Sequence, residues 1–210
     1  KKKDSIVIEN GVSTKLFKPN YLLRKKIRNQ LKINTNFFVL GNISRYHPIK
    51  DHNTLFRSLV KLKYYNVKFK CVLAGIGLSN KNINLVKKIS EYNLENEIIL
   101  FGKCLEIHNL LNSFDLNILS SKSESFPLTL IEAMSCGTPC ISTNVGESKN
   151  IIGDTGWIVE AENPEELANC IYKVYREKTL LKDKSKLARK RVENLFTQEE
   201  MLRKYRLLYI

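Results

Sequence analysis

The chain has 210 residues, 43% of them hydrophobic and 27% charged, a mixture that buries one sizeable core and excludes disordered and fibrous classes. Its net charge of +14 is uneven: residues 1–32 hold 10 basic and 2 acidic side chains and residues 181–210 hold 9 and 4, so the two ends supply +13. Such ends admit an anionic membrane surface as a partner and speak against nucleic acid, since they carry no stacking aromatics and no nucleic-acid motif; a lysine-rich solvated exterior accounts for them equally well.

The first residues, Lys1-Lys2-Lys3-Asp4, include no methionine and no apolar signal core, and no run is apolar enough to span a bilayer. A soluble, cytoplasmic fragment forming one domain over 1–210 is expected. Short β-branched runs then predict six strands, at 38–42, 69–74, 98–101, 116–119, 139–143 and 157–159. Between the first two, Leu55, Phe56, Leu59, Val60 and Leu62 repeat at helical steps, as Ile83, Val86 and Ile89 do after the second. A helix opens at Pro127, placed at its first position. Past Trp157 the pattern is wholly helical, over 164–178, 181–195 and 198–210, the last carrying Leu202, Tyr205, Leu208 and Tyr209 on one face. The alternation specifies an α/β fold: a Rossmann-like, doubly wound parallel sheet of about six strands covered on both sides, followed by C-terminal helices.

Five scattered cysteines (Cys71, Cys104, Cys136, Cys140, Cys170) fit no disulfide or metal framework, and His47, His52 and His108 lack a second ligand at metal spacing, so no metal is expected. Gly75-Ile76-Gly77 follows the second strand without the third glycine of a dinucleotide fingerprint and reads as a tight turn.

For strand order 3-2-1-4-5-6, ligands bind where the winding reverses, between the first and fourth strands. The loop after the first strand runs from Gly41, whose missing side chain admits a ligand to the backbone, to Arg45 and Lys50, two cations suited to a diphosphate. The loop after the fourth runs through Glu124, Ser125, Phe126 and Pro127 into a helix whose first amides, Leu128 and Thr129, face the same crevice. Glu124 at its mouth and Glu132 one turn in can accept hydrogen bonds from sugar hydroxyls.

At these residues the sequence resembles retaining glycosyltransferase family four, of the GT-B fold. Ile8-Glu9-Asn10-Gly11-Val12 and Phe17-Lys18-Pro19 look like the crossing from the other domain, and Arg45 to His52 like the Arg-x-x-x-x-Lys loop. Glu124 to Glu132 is similar to the E-x7-E motif, and Gly137-Thr138-Pro139 and Gly153-Asp154-Thr155-Gly156-Trp157 to the turns after it. The chain departs from the family in lacking a glycine near Phe126-Pro127.

The resemblance implies the C-terminal, donor-binding domain of an enzyme that transfers a hexosyl unit from a nucleoside-diphosphate sugar, such as a UDP- or GDP-sugar, to an acceptor hydroxyl with retention, without metal or other cofactor. Arg45 and Lys50 would hold the diphosphate and Glu132 the ribose. Glu124, with the Ser125–Thr129 amides, would place the sugar, and Lys103, Cys104 and Glu106 would lie near the base. The acceptor, a glycan or lipid-linked sugar of bacterial polysaccharide or glycolipid synthesis at the inner membrane face, would come through an absent N-terminal domain. Residues 196–210 would pack on that domain, and the fragment alone would not turn over. A non-catalytic sugar-nucleotide module and a GT-B epimerase are the alternatives; an oxidoreductase would need the glycine fingerprint that is missing.

Overall fold

Six strands pair side by side, all parallel: β1 (Phe38–Ile43), β2 (Phe69–Ala74), β3 (Ile98–Gly102), β4 (Leu116–Leu119), β5 (Cys140–Thr143) and β6 (Trp157–Val159). The computed structural model describes residues 6–209; Lys1–Lys3 and Asp4 of the basic start, and Ile210 of the last helix, lie outside them. The sheet order is β3-β2-β1-β4-β5-β6, so the winding reverses between β1 and β4 and both loops of the candidate crevice leave neighbouring strands at the same edge.

Strand residues alternate between two cores because successive side chains point to opposite faces. Leu40, Cys71, Leu73 and Ile118 pack under α2 (His52–Tyr64), α3 (Ile83–Glu91) and α7 (Pro164–Arg176). Val39, Val72 and Leu119 pack under α4 (Ile107–Leu111), α5 (Leu128–Ser135), α6 (Ser148–Ile152) and α8 (Lys178–Leu195). In α2 the repeat buries Leu55, Phe56, Leu59 and Leu62 completely, about 1.5–3 kcal/mol for each such side chain. In α3 the expected face is corrected: Ile83 is 79% exposed and Val86 39%, and Leu85 and Ile89 make the contact, because the sheet lies under that side of the helix. Pro164 stands in the first turn of α7, as its spacing predicts, behind an Asn163 cap that accepts from the Glu166 amide at 3.0 Å.

A helix the spacing did not predict, α1 (Tyr21–Gln30), buries no residue. Two arginines hold it in place. Arg24 and Arg28 (2.8 Å) both pair with Asp115, and Arg28 Nε also donates to the Ser113 carbonyl at 2.7 Å. Asp115 in turn accepts from the Val39 amide at 2.7 Å, tying α1 to the start of β1. At the other end α9 (Gln198–Arg206) hangs on the segment before α1. The Val12 amide donates to the Phe196 carbonyl at 2.9 Å, that of Gln198 to the Val12 carbonyl at 3.0 Å, and Lys204 pairs with Glu9 at 2.6 Å. The helix expected over 198–210 ends at Arg206, and the apolar side chains Leu202 and Tyr205 on it, with Leu208 in the turn beyond, remain 43–48% exposed.

Candidate functional site

The β1–α2 loop is built by close backbone approach. The Ser44 amide donates to the Ala74 carbonyl at 3.0 Å and the Tyr46 amide to the Ile76 carbonyl at 2.8 Å. Gly75 makes this fit possible: its φ is +145°, and a Cβ there would sit 1.8 Å from the Ser44 oxygen. The loop then closes in a single 3-10 turn, Pro48–Lys50, before Asp51 takes a left-handed conformation (φ 43°) and caps α2 through the Thr54 amide at 3.2 Å. His52, the first residue of α2, is buried against Ser44 Oγ at 3.2 Å, and desolvation pushes its pKa down to about 4. It is therefore neutral at physiological pH and part of the scaffold; His47 also has a structural role, its ring accepting from the Ile49 amide at 3.3 Å.

The β4–α5 loop is clasped to this one. The Lys122 amide donates to the Ile49 carbonyl at 2.8 Å and Ser120 Oγ to the Lys50 carbonyl at 3.0 Å. Across the join Lys50 Nζ meets Glu124 Oε1 at 2.5 Å, with side chains only 19% and 11% exposed, and Ser121 Oγ donates to the same oxygen at 2.6 Å. Ser121 is itself held by Thr143, which donates to its carbonyl at 2.6 Å. Arg45, by contrast, is exposed and has no ion-pair partner among the described residues.

A third wall, which the sequence reading missed, is the turn after β5. The Glu147 amide donates to the Ser125 carbonyl at 3.0 Å. Gly146, at φ +50°, lies so close that a Cβ would be 2.1 Å from the Glu124 carbonyl oxygen. A glycine three residues past the end of β5 was the available signal.

Pro127 is not the first helical residue but the cap, with extended backbone (φ −74°, ψ 98°), and α5 starts at Leu128. Proline offers no side-chain acceptor, so no cap hydrogen bond forms and the leading amides of Leu128 and Thr129 stay open to an anion. Glu132 follows in α5, half-buried and unpaired with any cation among the described residues, and burial raises its pKa. Water is poorly placed to solvate that carboxylate, and hydroxyl donors of a ligand would replace it.

Two expected residues do other work. Gly41 lies inside β1, not in the loop, and a Cβ there would reach 1.9 Å from the Phe114 ring, so it is glycine for packing rather than for ligand approach. The Phe126 ring turns away from the crevice and meets Phe196 edge-on, centroids 6.1 Å apart, fastening its loop to the end of α8. Lys103, Cys104 and Glu106 follow β3, two strands from β1, and form no hydrogen bond with Arg45, Lys50, Glu124 or Glu132. There Glu106 accepts from Asn109 at 2.9 Å, and burial raises the Cys104 thiol. A cavity of about 390 Å³ opens beside the β1–α2 loop, lined by Tyr46, His47, Asp51, His52 and Lys122 among others, and contains neither Arg45 nor Glu124. The ion pair itself lies outside it, in the crevice between the β1 and β4 loops.

Comparison with known proteins bears on this arrangement. A family model described as "Glycosyl transferases group 1" matches residues 24–191. N-acetyl-alpha-D-glucosaminyl L-malate synthase of Bacillus anthracis is 27% identical over 186 residues, covering 88% of this chain and 48% of that protein. UDP-Gal:alpha-D-GlcNAc-diphosphoundecaprenol alpha-1,3-galactosyltransferase of Escherichia coli is 27% identical over 210 residues, covering 97% and 53%. The Anabaena protein Alr3699/HepE, solved in complex with UDP and glucose, superposes with a TM-score of 0.89 at 25% identity, over 97% of this chain and 56% of that one. The chain thus spans about half the length of these relatives. No helix among the described residues is long and apolar enough to cross a membrane.

Proposed function

The chain belongs to the glycosyl transferases group 1 family and shares its fold with GT-B glycosyltransferases, and on that premise we propose that it binds the nucleoside-diphosphate sugar donor of a retaining hexosyl transfer. One observation carries this: the β1–α2 and β4–α5 loops are joined at the switch point through the Lys50–Glu124 pair, with Arg45 on the first loop and the uncapped start of α5, then Glu132, following the second. The positive groups match a diphosphate and stabilise the charge that develops on it as the sugar leaves, so the proposal assigns to protein cations the role a bound metal plays elsewhere. Glu132, lacking a partner, suits the paired hydroxyls of a ribose. Glu124 suits those of the transferred sugar, and the Lys103–Glu106 turn is assigned to flank the base. The HepE complex with UDP and glucose supports this choice of ligand class.

The acceptor side is proposed to come from that part of a relative-sized protein which this chain does not span, with the exposed Leu202 and Tyr205 of α9 and Leu208 just beyond it packing on it. Donor binding without turnover is then the expected behaviour of these 210 residues alone. The decisive experiment is a thermal-shift screen of nucleoside diphosphates and their sugars. One nucleotide, at about 100 times its Kd, should stabilise the fold by about 2.7 kcal/mol, a rise in Tm of about 5–10 °C. No shift with any of them removes the proposal.

A cytoplasmic position on the inner membrane face, acting on a glycan or lipid-linked acceptor in polysaccharide or glycolipid synthesis, is the proposed setting. It draws support from the diphosphoundecaprenol in the name of the E. coli relative. It also rests on an outward stripe of α1 that combines Tyr21 (77% exposed) and Leu22 (79%) with Lys25 and Lys26, in a stretch with no acidic residue between Glu9 and Asp51. Vesicles containing phosphatidylglycerol should sediment the protein at low salt and release it as salt rises. Equal sedimentation with purely zwitterionic vesicles, or none with either, would remove the membrane assignment.

A further inference from the structure

Lys50 is already spoken for before any ligand arrives. Its ammonium group lies 2.5 Å from Glu124, and both Lys50 and Ser121 donate to one and the same carboxylate oxygen. Of the two loop cations proposed for the diphosphate, only Arg45 is exposed and without an ion-pair partner among the described residues. A diphosphate that recruits Lys50 must therefore take it from Glu124. The carboxylate left behind keeps Ser121 alone, at a position only 11% exposed, and a charge stripped of its partner in such a place is costly.

What the ligand returns to Glu124 depends on whether it carries a sugar. The hydroxyls of a sugar nucleotide replace the lysine as hydrogen-bond donors to the carboxylate. A bare nucleoside diphosphate, the other product of transfer, brings no donor to that place and leaves the cost standing. We infer that Lys50 and Glu124 form an exchangeable ion pair that makes the site favour the sugar nucleotide over the nucleoside diphosphate and so eases product release. This rests on the donor-binding proposal and adds to it a selectivity that a simple diphosphate clamp would lack. Ser121 and Thr143, which fix where the carboxylate waits, are its positioning residues.

Titration calorimetry of the 210-residue chain with UDP and with UDP-glucose, in a double-mutant cycle, tests the exchange. Glu124→Gln should bind UDP about tenfold more tightly and UDP-glucose more weakly than the wild type, reversing their order. A carboxylate that merely repels phosphate would also tighten UDP binding when neutralised, and the second variant separates the two causes. With Lys50→Met already present there is no pair to break, so Glu124→Gln should leave UDP affinity unchanged; simple repulsion would let the gain persist. A gain for UDP that persists in the Lys50→Met background, or no gain in the single variant, overturns the exchange while leaving the donor site intact. A folded wild-type chain that binds neither these ligands nor any other nucleoside diphosphate or its sugar overturns the donor proposal and this inference with it. A cooperative melting transition in each unliganded variant would show that it is folded, with Lys50→Met melting below the wild type because it leaves Glu124 without its cation.

Discussion

Glu132→Ala and Lys50→Ala each weaken sugar-nucleotide binding at least about tenfold in titration calorimetry, the loss of one charged hydrogen bond being worth about 1.5–3 kcal/mol. The two act at different places. Lys50 stands at the clasp between the β1–α2 and β4–α5 loops, and Glu132 lies within α5, with no cationic neighbour to satisfy it. Unchanged affinity in either variant would remove that residue from the site.

Glu132 adds a pH signature whose sign follows from its burial. Only the ionised carboxylate accepts hydrogen bonds from both ribose hydroxyls, so affinity is level at neutral pH and falls as acidification protonates the group. Burial raises its pKa, so the fall begins at higher pH than an exposed glutamate near about 4.3 would give. The unliganded fold responds in the opposite sense. A carboxyl with a raised folded-state pKa costs stability once ionised, and the cost is relieved as pH falls through that pKa. Glu132→Gln should therefore raise the Tm of the free protein at pH 7 while abolishing the shift produced by donor. A gain in one without the loss in the other would separate burial from binding.

Arg189→Ala should lower the melting temperature by about 6–12 °C, the consequence of about 3 kcal/mol lost in a chain of this size. This arginine, well inside the basic carboxyl-terminal stretch, is far from a solvated surface charge. One terminal nitrogen donates to the carbonyls of Phe17 and Ser135 at 2.6 Å and to the Ser135 hydroxyl at 2.9 Å. The other donates to the Thr14 carbonyl at 3.1 Å, while Nε meets Glu193 at 2.8 Å. It thereby joins α8 to the end of α5 and to the amino-terminal segment. Alanine removes a donor from three carbonyls at once, of which only that of Phe17 keeps a side-chain partner, the Ser135 hydroxyl at 2.7 Å. Lysine, a single compact donor group without the planar fork, should recover only part of the loss. A melting curve unmoved by Arg189→Ala would show that water replaces these bonds at no cost.

The same clamp qualifies the charge pattern from which the sequence was first read. Arg24 and Arg28 are consumed by Asp115, Arg189 by the carbonyls just named, and Arg191 by those of Asn150 and Ile151 at 2.6 and 2.8 Å. Four of the cations counted in the basic ends are therefore internal fastenings, and the charge left for a membrane surface is mainly lysine. Nothing in composition distinguishes the two uses, because the acceptors are backbone oxygens or lie some ninety residues away.

Strand positions and the parallel class of the sheet were written in local pattern, whereas the strand order was supposed and the packed chain supplies it. β-Branched runs of four to six residues alternating with helical repeats permit a parallel sheet with both faces covered, and such a sheet binds ligands where its winding reverses. With that order supposed, Arg45, Lys50, Glu124 and Glu132 belong to the segments after β1 and β4, and the structure joins two of them, Lys50 and Glu124. α1 escaped the local pattern, its short apolar repeat of Leu23, Ile27 and Leu31 lying among many cations, and so did Gly146, whose glycine is required by the Glu124 carbonyl pressed against it. Periodicity likewise could not tell which side of α3 would meet the sheet, that Phe114 fills the space over Gly41, that Phe126 turns toward Phe196, or that Lys50 waits on Glu124. Local pattern determines elements because dihedral preference and side-chain period act between near neighbours. Which partner each side chain meets is decided only when segments far apart in the chain are packed, and it is there that the proposed selectivity of this site resides.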